Sequence, residues 1–304
     1  MSGHIVVGYT ATDAGADAVA LGARLAAASD RELDIVVVLP SDSRSVITPP
    51  DAGYDHYLEQ QAQEWLTQAA EQAGDAVTLR THIRYGDSFA EGLADAAAEL
   101  GASHIVVGAA NGGLRGRHRL GTVAGELLHS AQLPVVLAPE GSRRIDPSAG
   151  ISRITAAIGT RPGADALLQE SVALAASTGA ELRLLSLVSV DLPASVDTGV
   201  IRIAGAAHAD DVLSKALAEL PDGVDADVVI ARGDSIEDAI SQLGWEPGEL
   251  AVVGSSRLAQ PRRLFLGSTA AKMLHELPVP MVVVPRTLGQ QSAADQENKK
   301  EAAR

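Results

Sequence analysis

A chain of 304 residues with 46% apolar and 21% charged side chains is long enough to bury two ordinary globular cores. Its formal charge of −15, from 24 Lys and Arg against 39 Asp and Glu, argues against general nucleic-acid binding and against docking on an anionic membrane. The absence of cysteine removes disulfides, thiol nucleophiles and thiolate metal sites, and fits a reducing cytoplasmic setting. No secretory leader is expected, because residues 1–3 lead straight into the apolar run Ile5–Val7, and no membrane span, because no apolar run approaches spanning length.

In chain order, residues 5–8 form a short apolar run that reads as a strand, and the alanine-rich stretch 16–28 reads as a helix. A second buried strand follows at 34–39, a helix with apolar spacing around Tyr57, Trp65 and Leu66 at 54–72, and a third strand at 77–83. Residues 88–100 form a helix opened by a capping box of Ser88 and Glu91. A strand at 104–107, a helix at 123–131 and a strand at 135–138 complete the first half. The second half repeats the order, with strands near 154–158, 181–188, 224–230, 250–253 and 281–284, and with Ser235 and Asp238 as the matching cap. Asp87 and Asp234 each precede a helix and read as caps rather than catalytic acids. Continuous apolar strands separated by helices predict, for each half, a five-stranded parallel sheet covered on both faces, the doubly wound α/β (Rossmann-like) class. The expected division is a first domain at 1–140, a linker at 141–150, a second domain at 151–286 and a disordered polar tail at 287–304.

The halves are repeats. Gly86-Asp87-Ser88 returns as Gly233-Asp234-Ser235, a shift of 147, and Val106-Val107-Gly108 returns as Val252-Val253-Gly254, a shift of 146. The segment after the fourth strand carries the chemistry. It reads Gly108, two residues, Asn111, nine residues, then Gly121-Thr122; its copy reads Gly254, two residues, Arg257, nine residues, then Gly267-Ser268. In open parallel sheets ligands sit beyond the carboxyl ends of the strands. Gly108 and Gly254 lie at such ends and permit close backbone approach. Gly121-Thr122 and Gly267-Ser268 open the next helix, where free amides and the helix dipole favour an anion and the hydroxyl adds a donor. The first loop carries Arg115, Arg117, His118 and Arg119, the second Arg257, Arg262 and Arg263, and neither contains an acid; this bias suggests a polyphosphate site, the alternative being that these side chains balance acidic helices nearby.

This pattern resembles that of the universal stress protein family, whose motif is Gly, two residues, Gly, nine residues, Gly, then Ser or Thr. The resemblance covers nearly the whole chain and implies a tandem member that binds ATP, with Mg²⁺, or another adenine nucleotide. Both copies depart from the motif: Asn111 and Arg257 stand where the second glycine belongs. Asn tolerates positive φ, so Asn111 preserves the loop better than Arg257. Family members that bind ATP also carry an Asp after the first strand, where this chain has Thr10, with Thr12 and Asp13 close behind; the second half has no carboxylate there before Asp165. Val38 on the second strand completes the candidate contact set. The first half is therefore expected to be the better nucleotide site.

The leading reading is a non-catalytic stress-response protein whose surface changes with nucleotide occupancy and which acts through an unidentified protein partner. One alternative is a nucleotide-independent interaction protein of the same fold. A less favoured one is a hydrolase or transferase on an adenylated substrate, for which the chain offers no P-loop lysine and no nucleophile elbow. His82 and His104 lie on strands and read as structural, while His56, His129, His208 and His275 lie on helices without metal-ligand spacing. Trp65 and Trp245 read as packing residues. The apolar fifth strands imply that the two halves pair through them as a pseudo-dimer within one chain, with a homodimer of chains left open.

Overall fold

The computed structural model describes residues 3–41, 52–109, 120–159, 163–189, 199–256 and 264–286. Two compact units divide between Ile151 and Ser152.

The first unit alternates strand and helix throughout: β1 (His4–Gly8), α1 (Asp13–Ala28), β2 (Leu33–Pro40), α2 (Ala52–Ala73), β3 (Leu79–Gly86), α3 (Phe89–Glu99), β4 (Ala102–Gly108), α4 (Thr122–Ser130) and β5 (Val135–Ala138). Its strands pair in the order β3-β2-β1-β4-β5, all parallel. The second unit repeats the plan with β6 (Arg153–Ala157), α5 (Ala164–Thr178), β7 (Glu181–Ser189), α6 (Gly199–Ala218), β8 (Asp227–Gly233), α7 (Ile236–Ser241), β9 (Glu249–Gly254), α8 (Ser268–Glu276) and β10 (Met281–Val284). Its parallel order is β10-β9-β6-β7-β8. In each unit the order reverses beside the first strand, between β1 and β4 and between β6 and β9, which opens a crevice at the carboxyl ends.

The cores are built as the apolar runs require. Ile5, Val7, Leu33, Ile35, Ile105 and Val106 are buried on strands covered from both faces. Alanines at 18, 23 and 26 let α1 lie close on them. Ser88 and Ser235 cap α3 and α7, accepting the N–H of Glu91 and Asp238 at 3.1 Å each. The capping role expected of Asp87 and Asp234 thus falls to the serine after each. Asp87 instead accepts the Ser41 hydroxyl, and the Asp234 N–H donates to the Asp238 carboxylate at 3.0 Å. Strands β3 and β8 begin later than the apolar pattern indicates. Before β8 the Val224 N–H closes a turn on the Pro221 carbonyl, and Gly223 sits at φ 83°, so Val224 cannot extend the strand.

Residues 141–150 pack on α1. The Asp17 carboxylate, fully buried, accepts the N–H groups of Gly141 at 3.0 Å and Arg143 at 2.9 Å. The Arg143 guanidinium pairs with Asp13 at 2.8 Å, which raises its pKa.

Each unit also buries one carboxylate in a polar cluster. In the first, Asp34 on β2 takes His4 Nδ1 at 2.6 Å and His82 Nε2 at 2.7 Å. In the second, Glu249 on β9 takes Arg153 at 2.9 Å, Arg183 and the Thr155 hydroxyl. Its hydrogen bond raises the Arg153 pKa, whereas the deeper Arg183 is pulled down by burial and only partly restored by the same carboxylate. Trp245 packs its ring 5.1 Å from the Arg183 guanidinium and donates its indole N–H to the Ile240 carbonyl.

Candidate functional site

The crevices of the two units differ because their first turns differ in length. Four residues separate β1 from α1, and six separate β6 from α5. In the first unit the short turn draws α1 down onto the end of β4. A Cβ at Gly108 would lie 2.1 Å from the Ala14 carbonyl oxygen, so this glycine exists to admit protein backbone. Thr10 is spent in the same turn: its carbonyl accepts the Thr12 N–H at 2.7 Å, and its hydroxyl meets that of Thr12 at 3.1 Å. Thr12 caps α1 by accepting the Gly15 N–H. The Val38 side chain is buried, and a Cβ at Gly92 would come within 2.6 Å of it. Gly121 is the N-cap of α4 with no side-chain cap, and Thr122 is exposed at its first turn.

In the second unit the crevice is open. A Cβ at Gly254 would meet nothing nearer than Leu167 Cδ2 at 4.0 Å. A cavity of about 310 Å³ lies above it, floored by Ala157–Gly159 after β6, Ser186 and Leu187 on β7, and Val253–Ser256 after β9. Two helices longer than two turns begin at its wall. Gly163, at φ 99°, precedes α5 and contributes no capping side chain; Gly267 precedes α8 and contributes none either. Among the described residues no side chain caps either helix start, so first-turn amides face the cavity as donors, where the aligned peptide dipoles favour negative charge. By contrast α1, α3 and α7 satisfy an amide with Thr12, Ser88 and Ser235.

The neck of the second loop is tied shut by one hydroxyl. Ser255 Oγ accepts the Phe265 N–H at 2.8 Å and donates to the Phe265 carbonyl at 3.3 Å, while the Ser256 N–H donates to the same carbonyl at 2.7 Å. Ala109 stands at the position of Ser255, as the paired bonds of Ala109 to Ala138 and Ser255 to Val284 show, so the first unit lacks this tie.

Of the residues singled out in the sequence, Gly254 and Gly267 meet in the cavity. Ser268 is exposed, and Thr269 one residue on lines the wall in its place. Asn111, Arg115 and Arg257, with the other loop arginines and His118, lie outside the described residues, as does the tail. Sequence reasoning missed Ser255, Gly163, Leu187 and His208. Leu187 was within reach: Tyr9 donates to Val36 and Ile158 donates to Leu185, so Leu187 occupies the register of Val38. The described wall carries one titratable side chain, His208 on α6. Among the described residues no group of three or more His, Asp or Glu is arranged to hold a metal ion, and no helix is long and apolar enough to cross a membrane.

Two doubly wound α/β units in tandem, each with a crevice at the reversal of its strand order, define the class of fold. The chain belongs to the universal stress protein family: the model of that family matches residues 1–139 and again 150–285, two domains in tandem. A universal stress protein of Mycobacterium tuberculosis (strain H37Rv) is 28% identical over 301 residues, spanning 92% of this chain and 99% of the relative. The crystal structure of a universal stress protein from Archaeoglobus fulgidus matches with a TM-score of 0.66 at 18% identity, covering 94% of this chain and 99% of its own. A universal stress protein solved in complex with cAMP aligns to 44% of this chain and 95% of its own, at 24% identity and a TM-score of 0.33.

Proposed function

We propose that this tandem universal stress protein binds an adenine nucleotide, ATP in the first instance, in the cavity of the second unit, and that occupancy rather than catalysis is its output. The observation that carries the reading is the convergence of two uncapped helix starts, α5 and α8, on an open glycine floor at Gly254. This reading puts the second unit ahead of the first, against the ranking expected from the sequence, on the strength of the close packing of Ala14 on Gly108. With no carboxylate on the described wall, Mg²⁺ would arrive on the phosphates, as it commonly does. Slow hydrolysis of bound ATP is compatible with this role. Mass spectrometry of ligand retained by freshly purified protein tests the reading: a stoichiometric adenine nucleotide supports it, and protein that is empty and stays empty after incubation with ATP refutes it in favour of a nucleotide-independent interaction protein.

The pairing of the two units through their fifth strands stands as part of the same proposal. Strands β5 and β10 each end their unit's sheet and consist of apolar residues throughout, and an apolar edge needs cover. Hydrogen exchange on the full chain should find Val135–Ala138 as protected as β1, and rapid exchange there would contradict the pairing.

A further inference from the structure

The cavity of the second unit has two chemically different ends. It spans three neighbouring strands, β9, β6 and β7, so its ends lie about 10 Å apart at roughly 4.8 Å per strand spacing. Gly267 and Thr269 at the start of α8 mark the β9 end, and Gly163 at the start of α5 lies between. The β7 end is made by Ser186, Leu187 and two residues of α6, His208 and Val212. These are four apart and share one helix face. His208 is exposed at the mouth, while Val212 is buried.

The β7 end is unsuited to a second anionic group. No described lining residue there carries a permanent charge, and Leu187 and Val212 make it apolar. What it offers is one planar heteroaromatic side chain above an aliphatic floor. That combination fits the face of a flat, weakly polar ring, which stacks on aromatic side chains with little regard to its substituents. A ligand anchored by phosphate at the helix starts would place a base there through the pentose.

We propose that His208 is the base-contacting, specificity-determining residue of this cavity, stacking on the purine of the bound nucleotide and favouring nucleosides and nucleotides over inorganic polyphosphate. The proposal rests on the nucleotide reading above. Calorimetry on the full chain, wild type and His208→Ala, with ATP, adenosine and inorganic tripolyphosphate as probes, tests it. The substitution should weaken ATP and adenosine about tenfold, toward the low end of what base–aromatic stacking is worth. His208→Phe, which keeps a ring, should restore ATP affinity to within about threefold. Proton NMR adds a readout independent of affinity: the His208 ring signals, identified by their absence in His208→Ala, should move upfield with adenosine or ATP and stay in place with tripolyphosphate. Equal affinity of wild type and His208→Ala for ATP and adenosine would overturn the assignment while leaving nucleotide binding intact. So would an equal loss by His208→Ala and His208→Phe. A wild type that binds none of the adenine ligands would instead overturn the reading beneath it, and this assignment with it.

Discussion

The same substitution should have opposite consequences in the two copies of the motif. At Gly108 an added Cβ would stand 2.1 Å from the Ala14 oxygen, 2.5 Å from its carbonyl carbon and 2.8 Å from its Cβ. Two of these atoms are backbone, so no rotamer change relieves the contact, and α1 has to move away from β4. Overpacking of this kind costs about 1–3 kcal/mol. For a unit of this size that lowers Tm by roughly 2–12 °C, at about 2–4 °C per kcal/mol. At Gly254 the nearest atom is Leu167 Cδ2 at 4.0 Å, an ordinary van der Waals distance. Gly254→Ala should therefore stay within about 0.5 kcal/mol of wild type. Differential scanning calorimetry of the full chain with each substitution reads the difference. Equal Tm losses at the two positions, or a larger loss at Gly254, would refute the argument that one glycine faces protein and the other faces open space.

Three further outcomes follow from buried or paired charges. Glu249→Gln takes the carboxylate from the buried Arg183, while Arg153 keeps Glu246 at 3.1 Å, and should cost about 3–5 kcal/mol in urea unfolding, as breaking a buried ion pair does. Arg24→Leu should raise stability by about 1–3 kcal/mol, because Arg24 is 2% exposed, its pKa is lowered by burial, and among the described residues its Nε and Nη2 find no acceptor. Asp238 is held below its ordinary value by the side-chain hydrogen bond to Gln242 and then by the Asp234 N–H. A depressed carboxylate contributes stability above its unfolded value, about 3.9, and loses it as the pH falls through the folded midpoint. NMR titration should place that midpoint below the ordinary value, and Asp238→Asn should flatten the stability profile in that acid range.

Much of this architecture is legible along the chain because its signals are local. Strands β5 and β10 run over the residues their apolar stretches mark, and Ser88 and Ser235 cap where the three-residue spacing to Glu91 and Asp238 places them. The glycines at 254 and 267 likewise announce a crevice. The difference between the two crevices is not local. It depends on how far α1 descends onto β4, which a four-residue turn decides only after the sheet has formed. The polar clusters are hidden for a similar reason. Asp34 sits in an otherwise apolar run, and its partners His4 and His82 stand 30 and 48 residues away. His208 lies on a helix whose sequence gives no sign of which face meets the cavity, and only the packing of α6 beside β7 brings it to the mouth.

The account is tested most directly by isothermal titration of the full chain with ATP, in the wild type and in Gly254→Val. One site per chain is predicted, with Gly254→Val at least tenfold weaker because its side chain projects into the cavity while the fold has room for it. Two equivalent sites, or a single site indifferent to Gly254→Val, would contradict the assignment of the nucleotide to the second unit.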